Sequence, residues 1–111
     1  MSNKIKALYV EPKKNPVQVE IQTDLKSLQS LVCGNIETYS PFDDNEITII
    51  CNEEGKINGL QPNRAIFNSK GQLLDFIAGN FLIVFSREDD ESFSSLPENM
   101  IQKYTKIFSI R

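Results

Sequence analysis

A short apolar run at residues 47–51 places the strongest constraint on the fold. It reads Ile-Thr-Ile-Ile-Cys, and β-branched side chains in a nearly continuous apolar run favour a strand that is buried on both faces. Residues 17–21 instead alternate apolar and polar side chains, which is typical of a strand with one solvated face. The chain is therefore expected to build a sheet with residues 47–51 as a central strand.

Two segments have helical periodicity. The first begins at an N-cap residue, Thr23 or Asp24, and Gly34 is expected to end it in a left-handed conformation. The second begins at residues 95–98, where serine, proline and glutamate form a capping-box pattern, and an apolar stripe follows over residues 100–108. The predicted fold class is α+β: a mostly antiparallel, twisted sheet with two helices packed on it.

The remaining strands are shorter and their pairing is less defined. Residues 5–10 and 17–21 predict an opening hairpin, and residues 36–39 and 65–67 predict short strands. Residues 56–60 are expected to be a return strand after a turn in which Gly55 takes a positive φ. Residues 73–77 could pair with residues 81–85 as a tight hairpin, or residues 73–78 could form a helical turn. Periodicity leaves both interpretations open in runs this short.

Length and composition limit the protein class and the chemistry. The 111 residues predict one domain, 1–111, and no run is apolar enough to span a membrane. The N-terminus has no signal-peptide pattern, so a cytoplasmic protein is expected. The net charge of -3 disfavours broad nucleic-acid binding. The absence of histidine removes histidine-based catalysis and metal ligation. Cys33 and Cys51 are expected to be reduced and buried.

Residues 52–64 form the candidate ligand-binding stretch. Arg64 can grip a carboxylate or phosphate through parallel hydrogen bonds. Asn52, Asn58 and Asn63 carry paired donors and acceptors that could orient such a ligand, and Glu53 completes the predicted set. The alternative is structural: the asparagines cap turns and Arg64 pairs with Glu53 or its neighbour Glu54.

Other candidate chemistry is weaker. Glu53 and Glu54 could form a metal or acid/base pair, but a solvated hairpin tip is the simpler interpretation. The acidic residues 89–91 lack the ligand spacing of a calcium loop. Cys51 could be a nucleophile, but a packed strand cysteine is favoured. With no recognisable catalytic motif, no catalytic residue, metal or cofactor is predicted.

The chain resembles a family of small bacterial and phage proteins, the domain-of-unknown-function family 3846. The resemblance lies in residues 8–12, Leu-Tyr-Val-Glu-Pro, in residues 52–56, 58–60 and 62–65 in and beside the candidate stretch, and in residues 77–81, Ile-Ala-Gly-Asn-Phe. Lys13 and Lys14 stand where members often have a glycine-containing turn. The resemblance implies a role in the life of a mobile element and supplies no catalytic residue.

Three functional hypotheses follow. The first is a non-catalytic domain whose stretch 52–64 binds a small anionic ligand such as a nucleotide. The second is a protein-interaction module that regulates a host factor through acidic loops at Asp43, Asp44 and residues 89–91. An enzyme with a carboxylate-bound metal is the third. A homodimer is also considered, because a small sheet leaves exposed strand edges.

Overall fold

The computed structural model describes residues 4–42, 46–86 and 93–110. Within these ranges the chain forms strands and helices in the following order: β1 Lys4–Val10, β2 Val17–Gln22, α1 Leu25–Val32, β3 Ile36–Tyr39, β4 Ile47–Asn52, β5 Pro62–Phe67, β6 Leu73–Ala78, β7 Phe81–Phe85 and α2 Glu98–Phe108.

The strands form two antiparallel sheets. The larger has the order β2-β1-β7-β4-β3, and the smaller is the β5–β6 hairpin. β4 lies between β7 and β3, and all six of its residues are buried. The predicted α+β class, the opening β1–β2 hairpin and the interior position of residues 47–51 are therefore confirmed.

Each face of the large sheet has its own apolar core. Ile50 of β4 and Leu82 of β7 pack with Leu28 of α1 on one face. On the other face, alternate residues of the same strands pack with α2 and with the inner side of the β5–β6 hairpin. Because successive side chains of a strand point to opposite faces, one interior strand serves both cores. The hairpin and α2 therefore share one side of the molecule.

Helix α1 begins as predicted and ends differently. Asp24 is the N-cap, and its carboxylate accepts hydrogen bonds from the Ser27 backbone N–H at 3.1 Å and the Ser27 hydroxyl at 2.7 Å. The left-handed position is Cys33, with φ 65° and ψ 38°, one residue before the predicted Gly34. A Cβ on Gly34 would lie 2.7 Å from Nδ2 of Asn52. Gly34 is therefore required for a close approach to Asn52.

The predicted capping box of α2 is not formed. Pro97 occupies the N-cap position, and no side chain caps the helix there. The hydroxyl of Ser95 instead accepts a hydrogen bond from the Lys6 backbone N–H at 2.8 Å. The capping-box pattern predicts that the Ser95 oxygen bonds to the first turn of α2, but this oxygen is bonded to β1 instead. Ile101, Tyr104 and Phe108 of the predicted apolar stripe are buried.

The predicted return strand at residues 56–60 is wrong. Residues 53–59 form consecutive turns, in which the Asn58 N–H donates to the Glu54 carbonyl at 2.8 Å and the Leu60 N–H donates to the Gly55 carbonyl at 2.9 Å. Gly55 does not have the predicted positive φ. It is required for space instead, because a Cβ there would lie 2.6 Å from the Ala78 carbonyl oxygen.

Both interpretations of residues 73–85 are also wrong. Leu73–Ala78 is a strand, but it pairs with β5, whereas Phe81–Phe85 pairs with β1 and β4 of the large sheet. Between them Gly79 has φ 86°, a backbone conformation that glycine adopts without steric cost. The chain crosses here from one sheet to the other.

Two further predictions concern exposure and the acidic loops. Cys33 and Cys51 are both free thiols, but Cys33 is exposed rather than buried because it lies at the helix end. Asp43, Asp44 and residues 89–91 lie outside the described residues, so the acidic-loop hypothesis stays a prediction. Among the helices described here, none is long and apolar enough to cross a membrane.

Candidate functional site

A large cleft lies between the β5–β6 hairpin and α2. Its volume is about 540 Å³, which falls within the range of small-molecule sites in proteins. The hairpin and its turn form one wall, and the C-terminal half of α2 with the two residues after it forms the other. The lining residues are Phe42, Arg64, Ala65, Phe67, Asn68, Ser69, Lys103, Tyr104, Ile107, Phe108, Ser109 and Ile110.

Packed aromatic rings stabilise the floor of this cleft. The rings of Phe42 and Tyr104 lie 4.9 Å apart between centroids, and Phe42 meets Phe108 edge-on at 6.4 Å. Phe108 in turn contacts Phe81 of β7 at 5.6 Å. Such contacts add to the stabilisation from burial alone. The α2 wall is therefore held against the large sheet by interlocking rings.

Arg64 lies where the hairpin, α2 and the β1–β2 turn meet. Its Nε donates to the Phe108 carbonyl at 3.0 Å, and its Nη2 donates to the Lys14 carbonyl at 2.5 Å. Its Nη1 donates to the carbonyl and the side-chain oxygen of Asn63, at 3.2 and 2.8 Å. These bonds use four of the five guanidinium hydrogens. Within residues 4–42, 46–86 and 93–110, no acceptor takes the second hydrogen on Nη2.

The charge of Arg64 has no carboxylate partner among the described residues. Its hydrogen-bond acceptors are neutral carbonyl and amide oxygens, so the predicted alternative of a pair with Glu53 or Glu54 is not formed. Burial lowers the pKa of the guanidinium, because desolvation disfavours its charged form. An anion at this position would offset that cost.

Asn63 supports Arg64 from a β-bulge. The register of β5 against β6 shifts between Pro62 and Arg64, which leaves Asn63 outside the regular ladder. Its Nδ2 donates to the carbonyls of Val10 and Gly79, at 2.9 and 2.8 Å. Its Oδ1 accepts from Arg64. The side chain joins β1, the β6–β7 crossing and Arg64, and thereby fixes the guanidinium.

Asn52 has a different role from Asn63 and bonds to the C-terminal end of α1. It is 8% exposed, and its Nδ2 donates to the Val32 and Cys33 carbonyls at 3.0 and 3.2 Å. Its Oδ1 accepts from the Glu54 backbone N–H at 2.8 Å. These bonds satisfy carbonyls at the C-terminal end of α1 that have no partner within the helix.

The predicted ligand set is thus divided. Arg64 lines the large cleft, and Asn63 contacts it from behind the lining through a hydrogen bond to its guanidinium. Asn52 and Glu53 instead line a smaller cleft of about 230 Å³ between β4, the turn at residues 53–59 and β6. Asn58 lines neither cleft and is exposed. The assignment of these five residues to ligand binding stays a prediction.

The other candidate chemistry looks different in the structure. Burial raises the pKa of the Cys51 thiol to about 11, so at neutral pH this group is protonated and a weak nucleophile. Within the described ranges, no three His, Cys, Asp or Glu side chains form a group that could hold a metal ion.

Several residues of the large cleft were not singled out from the sequence. Phe42, Phe67 and Lys103 come from three distant segments, and only the fold brings them together. Lys103 had a local signal, since it is a cation beside an apolar helical stripe, but the helix dipole accounts for that pattern equally well. The aromatic residues had no signal apart from their size.

Comparisons with known proteins identify the family. No curated protein and no solved structure matches the chain. A family model described as Domain of unknown function (DUF3846) matches residues 5–109, which is nearly the whole chain. The protein therefore belongs to the DUF3846 family.

Proposed function

We propose that the protein is a non-catalytic binding domain for a small anionic ligand with an apolar or aromatic body, and that the cleft between the β5–β6 hairpin and α2 is its site. One observation carries the proposal: among the described residues that line this apolar cleft, the charged ones are Arg64 and Lys103, and both are cations. The chain as a whole has a net charge of -3, so these two side chains carry the sign of charge opposite to that of the whole chain.

The geometry suits a ligand with two chemically different ends. Phe67 is 51% exposed and Ile107 is 53% exposed, so both offer apolar surface at the mouth of the cleft. No acceptor in the described part of the chain takes the second Nη2 hydrogen of Arg64, and a charge-assisted bond from it to an anion would be stronger than a neutral one. A nucleoside monophosphate has both features, a flat aromatic base and a phosphate.

The test is a thermal-shift screen of nucleoside monophosphates, cyclic dinucleotides and simple aromatic carboxylates. A ligand at a hundred times its dissociation constant adds about 2.7 kcal/mol of stability. Arg64 is a poor residue to mutate first, because its hydrogen bonds hold three chain segments together and its loss would also change stability.

Lys103→Gln is the better variant, and Lys26→Gln on α1 is its charge-matched control. Both lysines are exposed, but α1 packs on the opposite face of the large sheet. We expect Lys103→Gln to weaken binding of the active compound about three- to fivefold, since an exposed ion pair contributes up to about 1 kcal/mol, and Lys26→Gln to leave it unchanged. No shift with any anion, or equal weakening in both variants, would contradict the proposal.

A further inference from the structure

The β5–β6 hairpin has apolar side chains on both of its faces. On the inner face, Ile66 and Ile77 are 0% and 5% exposed and belong to the core. On the outer side, Phe67, Leu73 and Phe76 are 51%, 65% and 44% exposed. An isolated two-stranded sheet is marginally stable in water, and here only one of its faces is covered within the described part of the chain.

The strand register shows that these three exposed residues share one face. Ala65 lies opposite Phe76, and Phe67 lies opposite Leu73. Residues opposite each other in an antiparallel pair point to the same side, as do residues two apart in one strand. Leu74, 44% exposed, lies at the adjacent register shift. We name Phe67, Leu73, Leu74 and Phe76 the outer hairpin face; its edge residue Phe67 also lines the mouth of the large cleft.

The apolar area of this face is close to the non-polar share of one side of a standard protein–protein interface. At roughly 200 Å² for a large apolar side chain, the four residues expose about 400 Å². An interface of standard size buries about 800 Å² on each partner, of which somewhat more than half is non-polar. The outer hairpin face alone therefore provides close to the non-polar area that a dimer requires.

The charges beside the face permit contact with an identical surface. Asp75 lies between Leu74 and Phe76, and its carboxylate forms an ion pair with Nζ of Lys56. The same Nζ lies 4.5 Å above the Phe76 ring. Because this pair is neutral as a whole, two copies of the face can approach without like-charge repulsion from it. We propose that the outer hairpin face docks on the same face of a second copy of the chain, forming a two-fold symmetric dimer.

Light scattering after size exclusion tests this proposal with a matched pair of variants. Leu73→Lys places a charge on the outer hairpin face, and Leu25→Lys places one at a residue of similar exposure, 58%, on α1. Interfaces of this size can be as weak as micromolar, so the chain is loaded at about 1 to 100 µM. Circular dichroism melting checks that each variant is folded.

We expect the wild type and Leu25→Lys to approach twice the monomer mass of 12.6 kDa as concentration rises, and Leu73→Lys to stay at that mass. A wild type that is monomeric throughout would overturn the proposal, and so would a Leu73→Lys variant that dimerises like the wild type. Loss of the dimer in Leu25→Lys would also overturn it, because the contact would then lie elsewhere.

Discussion

Replacing Asn52 with aspartate removes two hydrogen-bond donors while keeping the shape of the side chain. In the wild type, Nδ2 lies 3.0 Å from the Val32 carbonyl oxygen and 3.2 Å from that of Cys33. In Asn52→Asp a carboxylate oxygen takes this position and faces two carbonyl oxygens. The hydrogen bond to Glu54 remains available, because the other oxygen of the side chain is unchanged.

The cost can be estimated from these contacts. Two lost hydrogen bonds amount to about 2 kcal/mol, and the buried Val32 carbonyl left without a partner adds roughly 1 kcal/mol or more. Burial of a carboxylate at an 8% exposed position is a further cost. We expect the free energy of unfolding at pH 7 to fall by about 3 to 5 kcal/mol. For a domain of this size, that corresponds to a decrease in Tm of at least roughly 12 °C.

Urea unfolding of the wild type, Asn52→Asp and Asn58→Asp measures the effect. Asn58→Asp makes the same chemical change at an exposed turn position, where substitutions usually change stability by less than about 0.5 kcal/mol. Burial raises the pKa of an aspartate at position 52, so its destabilising charge is present above the unfolded pKa and the deficit narrows as pH falls. A deficit below about 1 kcal/mol that does not change with pH would refute the reasoning.

Three further predictions concern α1 and the two thiols. Cys33→Gly should raise Tm by a few degrees and Cys33→Val should lower it. Cys33 is exposed and has a left-handed backbone at φ 65°, a conformation that costs a residue with a side chain about 1 to 2 kcal/mol and that glycine adopts without this cost. Calorimetry of both variants measures the change in Tm. Hydrogen bonds from Ser27 lower the pKa of Asp24, so the stabilisation of the protein by the Asp24 carboxylate is complete above the unfolded pKa and is lost as pH falls through the folded pKa. The Tm of Asp24→Asn should therefore fall less than that of the wild type between roughly pH 4 and pH 2. Equal decreases in Tm would contradict the role of Asp24 as the N-cap. Iodoacetamide at pH 8 should modify Cys33 alone in the folded protein, because Cys51 is buried and its pKa is raised to about 11; mass spectrometry showing rapid modification of both would be inconsistent with that burial.

The sequence was most informative where structure follows from local side-chain pattern. Both helices, the opening hairpin and the buried strand at residues 47–51 lie where periodicity placed them. In each case the signal spans several residues, and a core on the predicted side accepts the apolar face. Periodicity and burial depend on the same side chains, so the pattern is reliable there.

The predictions failed where distant parts of the chain decide the local structure. Ser95 fits a capping box, but its hydroxyl accepts from Lys6. Gly55 fits a hairpin turn, but its lack of a side chain is needed against Ala78. Phe81–Phe85 follows β6 closely in the chain, yet it pairs with β1 and β4. None of these partners lies within the local window that sequence patterns describe.

The same limit applies to the candidate site. The stretch 52–64 contains Arg64, which lies at the large cleft, but most of the lining comes from α2 and the hairpin turn. Asn52 and Asn63 use their amide groups on backbone carbonyls of other elements. A sequence shows that an amide is present, but the fold determines which acceptor it meets.

An NMR titration of the ¹⁵N-labelled protein with adenosine monophosphate would show directly whether the large cleft binds an anionic ligand. We expect saturable shifts of the Arg64 side-chain Nε–H and of the backbone amides at residues 64–69 and 103–110, which surround the large cleft. The amides of β3 and of the turn at residues 53–59, beside the smaller cleft, should not move. Saturable shifts confined to the smaller cleft, or none at all with this and the other anions, would mean that the large cleft is not an anion-binding site.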